Sequence, residues 1–158
     1  MTVEAPVTDV HKFEVNDLSV LSGRLLFAMQ DEMYTRIQQD GYPDLVPRHD
    51  AVLAHLRPDG VRATELAQMC GQIKQVVGQI IDDLERLGYV RRKPDPADRR
   101  AKLVVPTASG RRLMAARDAV VNDITNRHAR QLGEDEFSRF LDSFRTVVDQ
   151  QQAAVDCD

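Results

Sequence analysis

The chain has 158 residues, 42% of them hydrophobic and 29% charged, with a formal net charge of −4, which suits one globular domain or a domain with appended helices. No stretch reaches the roughly 18 apolar residues of a membrane span and no basic-then-apolar leader is visible, so the expected compartment is the cytoplasm, with no membrane partner. Two cysteines, Cys70 and Cys157, are too few for a disulfide framework or a zinc site, and no metal or other cofactor is expected.

Met1 to Lys12 contains Pro6 and little periodicity, and is expected to be a frayed arm. From Asn16 or Asp17, both suitable caps, a helix is predicted to run to about Gln39, ending at Asp40, Gly41, Tyr42 and Pro43. Leu18, Leu21, Leu25, Ala28, Met29, Met33 and Ile37 mark its apolar stripe. Pro47 suits the first position of a second helix running to about Leu56, with Val52, Leu53 and Leu56 inward. Arg57 to Arg62 contains Pro58 and Gly60 and reads as a turn, with Val61 and Arg62 as a short strand. Thr64 is assigned as the cap of the next helix, with Leu66, Ala67 and Met69 facing in and Cys70 as a small core residue at its end.

A longer helix follows. Ile73, Val76, Val77, Ile80, Ile81, Leu84 and Leu87 recur at helical intervals, which predicts a buried side. On the other side Lys74, Gln75, Gly78 and Gln79 occupy the first half without an acid. Asp82, Asp83 and Glu85 come only in the second half, roughly 12 Å further on. Such a helix suits entry, N-terminus first, into the major groove. Gly88 stops it at the C′ position. Tyr89 to Lys93 and Lys102 to Val105 read as two strands, joined by a proline-stiffened tip, Pro94 to Ala101, that carries Arg99 and Arg100. A helix-turn-helix followed by two short strands with a rigid basic tip makes a winged helix, and arginine suits insertion into a narrow minor groove.

Thr107 caps a further long helix, Ala108 to about Gln131, with Leu113, Ala116, Val120, Val121 and Ile124 on one side. Gly133 breaks it, and Glu134, Asp135 and Glu136 suit the first turn of a last helix. That helix carries Phe137, Phe140, Leu141, Phe144, Val147 and Val148. Three aromatic rings facing water would be a large apolar patch, and a homodimer with interleaved flanking helices covers it. Charge is divided to match. Residues 60 to 112 hold 11 Lys plus Arg against 6 Asp plus Glu, a net +5, while the rest holds 10 against 19, a net −9. The positive segment is the winged helix, which orients the protein over a duplex.

The order TELA, KQVVGQIIDDLERLGYV and DPADRRAKLV, then Thr107 and Gly110, resembles the MarR family of bacterial transcription regulators. The resemblance implies a mainly α (α+β) fold: a winged helix-turn-helix core over about 45–106, with long flanking dimerisation helices, 13–41 and 107–155, in one domain of 158 residues. It implies a homodimeric repressor reading a pseudo-palindromic operator, released by a small aromatic or anionic effector bound between the dimer helices and the helix-turn-helix. Arg48 and His49 are the candidate lining of such a pocket. Family members usually carry a serine or threonine where this chain has Ile73, and Gln72 is a candidate to take over part of that role. By the same resemblance Asp98 braces Arg100 as a D-x-R pair at the wing tip.

The residues expected to meet double-stranded DNA are Lys74, Gln75 and Gln79 in the major groove, with Thr64 and Gln72 near the backbone. Gln75 or Gln79 can contact adenine in bidentate fashion, and Lys74 can reach guanine or a phosphate. Arg99 and Arg100 belong to the wing tip, and Arg91, Arg92 and Lys102 are expected to position the protein on phosphates. No hydrolase elbow, phosphate-cradling loop or metal-ligand spacing is present, so no enzyme is expected. Two other readings are a winged-helix adaptor that binds protein instead of DNA, and a redox regulator working through Cys70.

Overall fold

The computed structural model describes residues 17–156; the arm expected over Met1 to Lys12, and Cys157, lie outside them. The fold is mainly helical with a three-stranded antiparallel sheet. In chain order it comprises α1 (Leu18–Gln39), a 3-10 turn (Pro47–His49) leading into α2 (Asp50–Leu53), β1 (Val61–Arg62), α3 (Ala63–Met69), α4 (Lys74–Arg86), β2 (Val90–Pro94), β3 (Lys102–Pro106), α5 (Ala108–Leu132) and α6 (Glu134–Asp156). Among the described residues no helix is long and apolar enough to cross a membrane.

Asp17 starts α1, its carboxylate accepting from the Ser19 and Val20 amides at 2.8 and 3.3 Å. The second helix is shorter than the sequence suggests. It begins as a 3-10 turn and gives only one α turn, because the His55 amide bonds to Val52 at i−3 and Pro58 follows. Thr64 does not cap α3. Arg62 pairs with Leu103 in the sheet and is itself the last non-helical residue, so Thr64 already sits in the first turn.

Helices α3 and α4 end in the same way. At α3, Gly71 (φ +63) and Gln72 donate to Gln68 and Ala67; at α4, Gly88 (φ +80) and Tyr89 donate to Glu85 and Leu84, at 2.9–3.3 Å throughout. These paired bonds satisfy carbonyls that the helices leave open, and the left-handed residue in each is a glycine. The first of them forms the tight turn of the helix-turn-helix. The second turns the chain into the wing, where β3 lies between β1 and β2 and Arg91 faces Val105.

Leu66, Val77, Ile80, Ile81 and Leu84 from the helix-turn-helix meet Leu45, Val52, Leu53 and Leu56 in front, Val61, Val90 and Val104 from the sheet, and Leu113, Val120 and Ile124 from α5. Thr107 locks α5 to the end of α4: its hydroxyl donates to the Gly88 carbonyl at 2.7 Å and accepts from the Gly110 amide at 3.0 Å. A Cβ on Gly110 would stand 1.9 Å from the Tyr89 carbonyl oxygen, so only glycine permits this approach.

Two expected core residues turn outward. Ile73 is 67% exposed and Met69 is 40% exposed. In α1 only Met33, Tyr34 and Ile37 are buried. Leu18, Leu21, Leu25, Leu26 and Phe27 remain open, as do Phe140, Leu141, Val147 and Val148 on α6.

Candidate nucleic-acid interface

The helix-turn-helix presents α4 by its start. Ile73 is the N-cap, with extended backbone and no side-chain hydrogen bond to the first turn. Gln72, Lys74, Gln75 and Gln79 are exposed around it, and Gln72 does not cap the helix. From Leu66 to Ile81 there is no carboxylate. Gly78 stands in the middle of this face, and a Cβ built on it would meet nothing within 4 Å. Nothing inside the chain therefore requires a glycine there, although a helix interior with glycine costs about 1 kcal/mol relative to alanine. Thr64, in the first turn of α3, is also exposed.

Further along α4 the acids are spoken for. Asp82 and Glu85 both hold Arg92 of β2, at 2.6 and 2.5 Å, and Glu85 also takes the Arg92 amide at 3.0 Å. Asp83 pairs with Arg48 and Arg86. Arg92, expected as a phosphate contact, is here a clamp between the wing and the helix. Arg91 and Lys102, also on the strands, are exposed and have no acid partner among the described residues.

The wing tip is braced differently from the expected D-x-R pairing. Asp98 accepts from the Arg100 backbone amide at 3.0 Å and does not touch its guanidinium. The brace is Asp95, 6% exposed, which accepts from the Ala97 amide at 2.9 Å and from Arg62 of β1 at 2.7 and 2.5 Å. The Ala97 amide and the Arg62 guanidinium hold its carboxyl below the usual carboxylate range. With the Asp95 and Ala101 backbones also bonded across the base of the loop at 3.0 Å, the tip is held while Arg99 and Arg100 stay exposed. Neither guanidinium has an ion partner among the described residues. Sequence reasoning missed Arg62 and Asp95, since 33 positions separate them and nothing local links the two.

Arg48 and His49 have different surroundings. The Arg48 guanidinium lies outside, against Asp83, while the His49 ring is 2% exposed. His49 Nδ1 accepts from the Val46 amide at 3.3 Å and Nε2 is buried with no partner among the described residues. Burial, then the neighbouring Arg48, lowers the imidazole pKa, with Asp83 opposing and Arg86 adding. A small apolar cavity lies beneath α1, lined by Met33, Tyr34, Ile37, Leu53, Leu113 and Arg117. The Tyr34 hydroxyl is buried there without a partner among the described residues, and Arg117 bonds Asp50 at 2.8 Å. Cys70 is half-buried, its thiol 3.7 Å from the Ala67 carbonyl, at the edge of an open hollow between the helix-turn-helix and the end of α6.

The family model described as MarR family matches residues 47–101, the stretch from the 3-10 turn to the wing tip. The transcriptional regulator HosA of Escherichia coli is 25% identical over 118 residues, covering 74% of this chain and 87% of that protein. The fold is similar to CouR from Rhodococcus jostii RHA1 bound to p-coumaroyl-CoA, with a TM-score of 0.69, 25% identity and coverage of 84% and 92%. It is also similar to a MepR–DNA complex from Staphylococcus aureus, with a TM-score of 0.70, 19% identity and coverage of 85% and 96%. Residues 47–101 of this chain thus resemble the MarR family, and its helix-turn-helix, wing and flanking helices give a fold similar to that of these solved structures.

Proposed function

We propose that this protein is a homodimeric, sequence-specific transcription repressor that reads a pseudo-palindromic operator in double-stranded DNA and is released by a small-molecule effector. The reading rests on one observation above all: an exposed, acid-free helix start whose central Gly78 has no internal reason to be glycine. Lys74, Gln75 and Gln79 read base edges from α4, with Thr64 and Gln72 against the backbone. Arg99 and Arg100 enter the minor groove, and Arg91 and Lys102 meet phosphates. The MepR complex with DNA supports this use of the fold.

The dimer is supported by the apolar surface left open on α1 and α6. Residues 13–41 and 107–155 form its body, and the core over 45–106 reads the duplex. Two-fold symmetry sets the recognition helices about one helical turn of DNA apart. Effector control is supported by CouR, which holds p-coumaroyl-CoA. A small aromatic or anionic molecule acting under α1, beside Tyr34 and Arg117, lowers DNA affinity only by its preference for the non-binding conformation. The protein acts in the cytoplasm with its operator.

The test is a footprint and mobility-shift titration on the duplex upstream of the protein's own coding region, repeated at rising salt. A symmetric footprint and a steep loss of affinity with salt are expected, because several phosphates are neutralised per half-site. Arg100→Ala weakens that binding by at least ~1 kcal/mol. Salt-independent or absent binding would favour a protein-binding adaptor instead.

A further inference from the structure

The residue at the start of α4 does neither of the things its position allows. Its backbone is extended, φ −69 and ψ 145, as at any helix N-cap, where a side-chain oxygen would take an amide of the first turn. Isoleucine offers none. It does not join the core either, since Val77, Ile80, Ile81 and Leu84 fill the buried side without it and Ile73 is left 67% exposed. A branched aliphatic group thus stands in water between Gln72 and Lys74, on an acid-free stretch whose exposed polar side chains are amides and an ammonium and whose other exposed large apolar side chain is Met69.

If that face enters the major groove, as the proposed function holds and on which this inference rests, the groove offers one apolar feature to an aliphatic side chain. It is the 5-methyl of thymine. We infer that Ile73 is a specificity-determining residue that packs against a thymine 5-methyl in each half-site of the operator. The polar neighbours then read donors and acceptors while Ile73 separates thymine from cytosine, which presents no methyl.

The experiment uses duplexes that the full-length protein selects from a random pool, resynthesised with deoxyuridine for thymine at one position at a time. Deoxyuridine keeps the pairing and removes only the methyl. At one thymine per half-site, its loss is expected to weaken the parent about fourfold, and about 15-fold when both half-sites are changed. Ile73→Ala is expected to bind the thymine duplex as weakly as the parent binds the uracil one, and to ignore that replacement, so that the two changes do not add. Ile73→Ser separates this from a folding role, because its hydroxyl can cap the helix and it carries no methyl to meet the base. It is expected to melt at or above the parent temperature and still lose the methyl preference. The inference is overturned if Ile73→Ala keeps the parent's sensitivity at every thymine, or if it weakens all duplexes equally, random ones included. A parent that selects no duplex at low salt overturns the DNA-binding reading itself, which is a different result.

Discussion

Between Leu45 and Leu113 the chain buries its large apolar side chains almost without remainder, and Val46, Met69 and Ile73 are the ones left exposed. Helices α1 and α6 are the opposite case. Five large apolar residues in the first half of α1 face water, Phe27 at 71% exposure, and α6 has no buried residue among those described. The rings of Phe140 and Phe144 stack on each other at 5.8 Å between centroids, with Phe137 against Phe140 at 6.2 Å. One region is a finished core; the other leaves its apolar surface open. The polar contacts follow the same division. Glu32–Arg127 and Arg36–Asp123 fasten α1 to α5 along its C-terminal half only, which leaves the N-terminal half free to pack elsewhere.

The contrast is broken most directly by removing volume from each region. Leu84, wholly buried where α4 meets the core, should lose about 2–5 kcal/mol on replacement by alanine. Its denaturation midpoint should fall by the same amount at every protein concentration. Phe140→Ser should cost about 1 kcal/mol per protomer, half the full burial of a phenylalanine. Its effect should appear as a weaker self-association in sedimentation, and as a melting temperature that depends more on concentration. If both substitutions behave alike, α6 is not an interface.

Gly78→Ala tests the reading face within the finished core. The added methyl has room, and the helix gains about 1 kcal/mol of stability. DNA affinity should fall even as the melting temperature rises. A variant that is more stable and binds as tightly as the parent would leave the glycine without an external role.

These regions were not equally legible. The span of α4 and its stop at Gly88 could be read because one apolar period runs unbroken from Val76 to Leu87 and then meets a residue that tolerates positive φ. The same period misled at Ile73, since the pattern continues one residue past the point where the backbone becomes helical. Thr64 has the residue type of a cap but not its place, because β1 ends at Arg62, against Leu103, and long-range strand pairing leaves no local mark. In the wing, Asp95 and Asp98 look equivalent in sequence. Only the approach of Arg62 makes one the brace and the other a turn residue. The clamp that Arg92 makes with Asp82 and Glu85 leaves no local mark either, since the fold brings the strand to the helix.

The smallest effect sought is one that the finished core should show and α6, which has no buried residue among those described, should not. His49 is a titratable ring enclosed among residues of the 3-10 turn, α1 and α4, with Nδ1 accepting from Val46. That bond fixes the proton on Nε2, and a second proton on Nδ1 would face the Val46 N–H and break it. Burial and then Arg48 depress the folded pKa, Arg86 acts in the same sense, and Asp83 opposes. In the unfolded chain the ring titrates near ~6.5. Below that value the unfolded state takes up a proton that the folded state refuses, so the contribution of His49 is complete above the unfolded pKa. It is lost as pH falls toward the lowered folded value. Urea midpoints at pH 7.5 and 5.5 should therefore differ more for the parent than for His49→Gln, which keeps an acceptor for Val46 and cannot titrate. Equal differences would mean that the ring is not the group sensing acid, and that the core between α1 and α4 admits charge more readily than its burial implies.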